Sequence, residues 1–136
     1  MVFLSLSTTH AAVVYWDDGA ADSSWTSATN WNGDFVPGVG DHVIFTTNPG
    51  AIVSTNVGHV NILTPAWHPG VGEISITTGG FLHVDSFMRL GHAVDAVGTL
   101  NMSGGLLVAA ILQNGFNNIA QGTGGSGVIK LSGNAI

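Results

Sequence analysis

Residues 97–105 read VGTLNMSGG, and variants of this phrase occur at residues 71–80, VGEISITTGG, and at residues 126–133, SGVIKLSG. The glycines that open the three copies are 26 and 29 residues apart, at Gly72, Gly98 and Gly127. Periods of this size are typical of solenoids, in which each repeat adds one turn to a stack. The chain is therefore predicted to be a repeat protein.

Within each copy, apolar and polar residues alternate with the period of two that a β-strand requires. This alternation predicts two inward columns and one outward column of stacked side chains. The columns are Ile74, Leu100 and Ile129; Ile76, Met102 and Leu131; and, pointing outward, Ser75, Asn101 and Lys130. We therefore predict an all-β fold, a parallel β-solenoid of the right-handed β-helix type, with coils about 4.8 Å apart.

Glycine pairs after the first strand mark a corner, and two further strands are predicted to follow it in each coil. The second strands are FLHV and LLVAA, and the third strands are FMRLG and ILQNG. The second wall is apolar on both faces, and such a wall is usually covered on both. Residues 42–63 are expected to form earlier, less regular coils.

The chain is divided by composition into an end piece and one domain. Residues 13–136 are predicted to be a single solenoid domain, with Gly-rich repeats at 71–136 and a Trp-rich N-terminal cap at 13–45. The cap contains Trp16, Trp25 and Trp31. Residues 1–12 are either the remnant of a secretory signal peptide or an extended N-terminal arm, and both interpretations remain open.

Charge and hydropathy limit the classes of function. The net charge is −6 with only two cations, Arg89 and Lys130, so neither nucleic acid nor an anionic membrane surface is an expected partner. No apolar run approaches the roughly 20 residues that span a bilayer. Charged residues make up 7% of the chain, against about 25% in ordinary domains, and a surface so poor in charge tends to associate.

The N-terminal region resembles the opening of secreted bacterial β-helix proteins of the autotransporter-passenger and PEP-CTERM types. The shared elements are Trp25, the pair Asn30-Trp31, the turn Pro37-Gly38, and Gly40-Asp41 before Val43-Ile44-Phe45. The segment Gly98–Gly105, GTLNMSGG, is similar to the repeats of the same group. The resemblance covers roughly residues 15–136 and implies a secreted surface protein rather than an enzyme.

Candidate chemistry is sparse, and we predict no catalytic residues, no cofactor and no metal site. His83 and Asp85 share a strand face with His92 nearby, but packed or surface histidines are the favoured interpretation. The segment DDGAAD, with Asp17, Asp18 and Asp22, does not have the ligand spacing of a calcium loop. Glycan hydrolysis requires paired carboxylates, and the chain has a single Glu and no paired Asp at equivalent repeat positions.

Two features concern glycans. The cap tryptophans are interpreted as closing the first coil, and a sugar-stacking platform is the alternative. Asn101-Met102-Ser103 matches the N-glycosylation sequon, and alternation points Asn101 outward.

The third repeat is predicted to end in an open, apolar cross-section of the core. Open sheet edges are normally blocked, so we expect another copy of the chain to complete this end in a head-to-tail contact. The expected function is an extracellular, cell-surface structural subunit that assembles into a filament or sheath. The alternative is an adhesin or glycan-binding fragment of a larger surface protein. The residues expected at the assembly surface are Phe81, Leu106, Val108, Ile129, Leu131 and Ile136.

Overall fold

The computed structural model describes residues 11–46, 50–115 and 125–136, which form a parallel β-solenoid of about four turns. Sheet 1 has the strand order β1-β2-β4-β6-β8 and sheet 2 the order β3-β5-β7-β9, and every strand pair is parallel. A 3-10 turn at Ala28–Asn30 is the one helical element within the described ranges, where no helix is long and apolar enough to cross a membrane. The strands are β1 (Val13–Tyr15), β2 (His42–Phe45), β3 (Ala51–Val53), β4 (Asn56–Pro65), β5 (Gly70–Ile76), β6 (Phe81–Leu90), β7 (Ala96–Met102), β8 (Leu106–Asn114) and β9 (Ser126–Leu131).

The strand register confirms the predicted alignment of the three repeats. In sheet 2, Ile74 pairs with Leu100, which pairs with Ile129, and the neighbouring outward and inward columns follow the same register. Ser75 and Asn101 lie side by side on the outward face, with the Asn101 Nδ2 donating a long hydrogen bond of 3.5 Å to the Ser75 Oγ. Stacking in register lets each turn bury the inward side chains of the turn below it.

The coil has two walls rather than the three that the sequence suggested. The predicted second and third strands are halves of one strand in β6 and again in β8. Between Val84 and Phe87 the register shifts relative to both neighbouring strands. A β-bulge in β6 therefore lies where a separate corner was expected, and β4 and β8 run past it without an extra residue. Residues 42–63, expected to be less regular, supply β2, β3 and most of β4 to the same two sheets.

The glycines that open the first two repeats, Gly72 and Gly98, lie where one wall crowds the other. A Cβ added at Gly98 would be 2.4 Å from the backbone N of Gly91 and 2.5 Å from the carbonyl O of Pro65. At Gly72 it would be 2.3 Å from the backbone N of Ala66. Real Cβ atoms do not approach backbone so closely, so the repeated glycine is a steric requirement of the corner.

An aromatic cluster fills the core at the N-terminal end. Trp16, Trp25 and Trp31 are each at most 2% exposed and pack on Phe45, with Trp16–Trp31 and Trp25–Trp31 centroids 4.9 and 4.8 Å apart. The Trp31 Nε1 donates to the Trp25 carbonyl at 2.8 Å. Because the cluster lies over the first full turn, it supports the predicted Trp-rich cap.

Asn30 and Asp41, two polar residues shared with secreted β-helix proteins, make hydrogen bonds that stabilise this cap. Asn30 is fully buried; its Nδ2 donates to the Asp22 Oδ1 at 2.6 Å, and its Oδ1 accepts from the Ala20 N–H at 2.7 Å. The Asp41 carboxylate accepts from the backbone N–H groups of Ala12 and Gly38, which ties the Pro-Gly turn to the chain entering β1. These groups satisfy the backbone of an irregular segment that has no ladder of its own.

Candidate assembly surface and histidine clusters

The C-terminal end of the solenoid exposes residues that belong to inward columns. Leu100 is 2% exposed, whereas Ile129, its in-register partner one turn later, is 37% exposed, and Leu131 is 65% exposed. The same contrast occurs in sheet 1, where the buried Met88 pairs with the exposed Leu112. The last described turn therefore presents an open cross-section of the apolar core.

Among the described residues, the edges of both sheets at this end are open over most of their length. Ile136 covers the start of β8, since its N–H donates to the Gly105 carbonyl and its carbonyl accepts from the Leu107 N–H. In the described parts of the chain, no strand pairs with the rest of β8 or with the outer edge of β9. An unpaired edge of this kind is a template for another strand.

Three of the residues expected at the assembly surface lie on the outer face of sheet 1. Phe81 is half-buried beside Leu106, in register with it, and Leu106 and Val108 are exposed. This face is therefore apolar only in part, because His83 of β6 lies on it between His59 and Val108. The prediction of a wall that is apolar on both faces is correct for Phe81, Leu106 and Val108 and wrong for His83. Ile129, Leu131 and Ile136 lie instead at the open end, so the six predicted residues form two adjoining surfaces.

Charge is distributed unevenly along the stack. All eight acidic residues of the sequence precede residue 96, and Lys130 is the one charged side chain after it. Five of the acids lie in the cap. The open end therefore has little charge with which to repel a neighbouring sheet edge.

The cap tryptophans cannot act as a sugar-stacking platform in this fold. A sugar ring needs an open aromatic face, and all three indole rings are buried against one another and Phe45. The acidic loop is also committed internally, because the Asp22 carboxylate accepts hydrogen bonds from the Ser27 Oγ and the Ser24 N–H. These bonds, with the Ser27 contact the largest, lower the pKa of Asp22.

Two histidines meet an aspartate on the outer face of sheet 1. His59 of β4 pairs in register with His83 of β6, and their rings are 4.3 Å apart. The Asp85 Oδ1 lies 3.1 Å from the His59 Nδ1 and 3.8 Å from the His83 Nε2. In the described ranges, this is the one group of three side chains whose metal-ligating atoms converge.

The sequence had indicated only part of this cluster. The sequence places His83 and Asp85 on one strand face with His92 nearby, whereas in the structure the third member of the cluster is His59. His92 lies elsewhere, stacked on Trp67 with ring centroids 4.2 Å apart. A signal was available, since the dipeptide His-Val occurs at both 59–60 and 83–84, and in-register stacking brings like positions together.

A second histidine pair flanks Trp67, which lies outside the cap. Trp67 stacks on His92 and meets His42 edge-on at 5.3 Å, while the His42 Nε2 is 3.0 Å from the Thr64 Oγ1. Burial, followed by the positive charge of Arg89, lowers the pKa of both histidines. This environment favours the neutral form of both imidazoles, and their contacts with the indole of Trp67 are a packing arrangement.

Two features expected from the sequence remain predictions. Asn101 lies half-buried on the outward face of β7 between Ser75 and Lys130, and its glycosylation remains a prediction. The arm or signal remnant at residues 1–12 lies almost wholly outside the described residues, which begin at Ala11.

No protein-family model, curated protein or solved structure significantly matches this chain.

Proposed function

We propose that this chain is an extracellular structural subunit that assembles head-to-tail, through the open end of its β-solenoid, into a filament or sheath. The observation that carries the proposal is the exposure of Ile129 and Leu131 in columns that are buried one turn earlier. A further turn of β-structure over this end would bury both side chains and pair the edges of β8 and β9. The extracellular setting rests on the resemblance to secreted β-helix proteins.

The partner proposed is a second copy of the same chain. All described strands are parallel, so a copy translated along the solenoid axis would set its β1 against the outer edge of β8 and continue sheet 1. β1 is the last strand of sheet 1 at this end, but the Tyr15 carbonyl on its outer edge already accepts from the Asn32 N–H, so the next copy would pair with the part of β1 around Val13. Val13 and the nearby Val39 are exposed apolar residues. A contact of this heterologous kind repeats without closing, which produces fibres.

Charge supports the same direction of stacking. A head-to-tail contact brings an end whose one charged side chain is Lys130 against a cap that contains five acidic residues. A contact between two open ends would instead place two Lys130 side chains in one interface. Electrostatic complementarity of this kind sets orientation more than affinity.

Charge substitutions at matched exposed positions test the proposal. Leu131→Lys places a second cation in the open end, where the next copy would cover it, and Val39→Lys makes the same change at a comparably exposed position, 61% against 65%, in the cap. Light scattering and negative-stain microscopy are recorded for both variants and for the wild type. We expect filaments from the wild type and monomers from Leu131→Lys.

The control variant separates an end-specific effect from a general gain in solubility. Val39→Lys is expected to weaken assembly less than Leu131→Lys, because Val39 borders the proposed contact while Leu131 lies within the core column. Wild-type protein that remains monomeric at high concentration would refute the proposal. Equal loss of assembly in the two variants would refute the role of the open core.

A further inference from the structure

The cluster of His59, His83 and Asp85 lies on the outer face of sheet 1, apart from the open end and from the cap. Each side chain is partly exposed, so an ion can reach the three ligand atoms from solvent. The two imidazoles are presented by adjacent strands that are paired in register. Their separation is therefore fixed by the backbone ladder rather than by loop conformation.

Backbone irregularities on both strands adjoin the cluster. The register between β4 and β6 shifts just before His59, where Gly58 has a φ of +80°. It shifts again after Val60, so that Asp85 and Ser86 together stand opposite Asn61. The Ser86 Oγ donates to the Asn61 Oδ1 at 2.6 Å, which fixes this second bulge. Bulges re-aim side chains, and here they flank the residues that converge.

Two of the three ligand-atom spacings are close to those that a small transition-metal ion requires. Bonds of about 2.0–2.1 Å in a tetrahedral site place ligand atoms roughly 3.3–3.4 Å apart. The two nitrogen–oxygen distances of 3.1 and 3.8 Å bracket that value, and all three atoms lie within 4.8 Å of one another. Two nitrogens and one carboxylate oxygen are a ligand set for Zn²⁺ and its neighbours, whereas Ca²⁺ and Mg²⁺ take oxygen ligands.

We propose that His59, His83 and Asp85 form a binding site for one divalent transition-metal ion, with Zn²⁺ as the ion to test. The fourth position is open to solvent and takes a water molecule. Because the ligands come from β4 and β6, the bound ion cross-links two successive turns of the solenoid. Binding therefore stabilises the folded chain by mass action.

Calorimetric titration of the full chain with ZnCl₂ tests the site. We expect one ion per chain and a Zn²⁺-dependent rise in the melting temperature. His59→Gln and Asp85→Asn should each weaken binding by more than about tenfold, since loss of a direct ligand exceeds the effect of losing a supporting contact. His68→Gln makes the same change at an exposed histidine outside the cluster and should leave the affinity unchanged.

Several results would overturn the site. These are the absence of saturable binding, an equal loss of affinity in His68→Gln, or full retention of binding in His59→Gln. Far-ultraviolet circular dichroism without metal verifies the fold of each variant. If His59→Gln does not fold, the Zn²⁺ affinity of Asp85→Asn alone tests the site, because asparagine preserves the shape of the aspartate side chain. X-ray absorption of the zinc complex should detect two imidazole nitrogens, and a shell without imidazole would contradict the assignment.

Discussion

Two substitutions that remove the same number of atoms from one inward column of sheet 2 should lower the free energy of unfolding by very different amounts. Leu100→Ala and Ile129→Ala each delete three carbons from in-register positions on successive turns. Leu100 is 2% exposed and lies between the turns below and above, whereas Ile129 is 37% exposed and is covered from one side only. The comparison therefore measures what a further stacked turn contributes to the free energy of unfolding.

The expected magnitudes follow from burial. Three buried carbons at about 0.8 kcal/mol each give roughly 2.4 kcal/mol. At Leu100 a cavity adds about 1 kcal/mol, for a total of about 3.5 kcal/mol. At Ile129 about a third of the residue already meets water and no closed cavity forms, which leaves about 1.5 kcal/mol. The free energy of unfolding should thus differ by about 2 kcal/mol between the two variants.

Urea unfolding at low protein concentration, where assembly is absent, supplies both values. The same measurement at high concentration should show the cost of Ile129→Ala rising toward that of Leu100→Ala, because a second copy would then bury the column. Equal costs for the monomer would refute the stacking register on which the fold description rests. A cost of Ile129→Ala that does not change with concentration would count against burial of this column by a partner.

The remaining predictions concern the corner glycine and the two half-buried histidines beside Trp67. Gly98→Ala should destabilise the chain by about 2–3 kcal/mol, because the added Cβ would overlap the backbone of Gly91 and Pro65. Gly38→Ala has open space around the added carbon and should change the stability by less than about 0.5 kcal/mol. Thermal and urea unfolding of both variants check this prediction. The folded-state pKa values of His42 and His92 lie below the ordinary 6.5, so the unfolded chain binds more protons than the folded chain near these values. The free energy of unfolding should therefore be full above pH 6.5 and fall as the pH drops toward and through the lowered pKa values. Unfolding free energies between pH 7.5 and 5 should show a shallower slope in the double variant His42→Gln, His92→Gln than in His68→Gln, and equal slopes would contradict the assignment.

Much of the fold could be predicted from one phrase of sequence. The alternation in VGTLNMSGG and its two relatives determines which residues point inward, and the opening glycines align the turns. Stacking is a local rule repeated at a fixed period, so agreement among copies specifies the register without knowledge of distant contacts. The stacked columns through Ile74 and Ile76 could therefore be predicted from the aligned repeats.

Features that depend on breaks in this rule could not be predicted so well. The bulge between Val84 and Phe87 leaves no composition signal, so one bent strand was mistaken for two. The pairing of His59 with His83 was not predicted, because the register between β4 and β6 shifts between Asn56 and His59, just before the pair. Hydrogen bonds such as those of Asn30 and Asp41 arise from an irregular cap whose path no periodicity encodes.

The most direct test of the central proposal is the axial repeat of the assembled protein, measured by cryo-electron microscopy. If β1 of one copy continues sheet 1 beyond β8 of the next, each chain contributes five strands at about 4.8 Å, and the rise per subunit should be about 24 Å with all subunits in one orientation. Pairs of oppositely oriented subunits, or particles that remain single chains at every concentration, would contradict head-to-tail assembly.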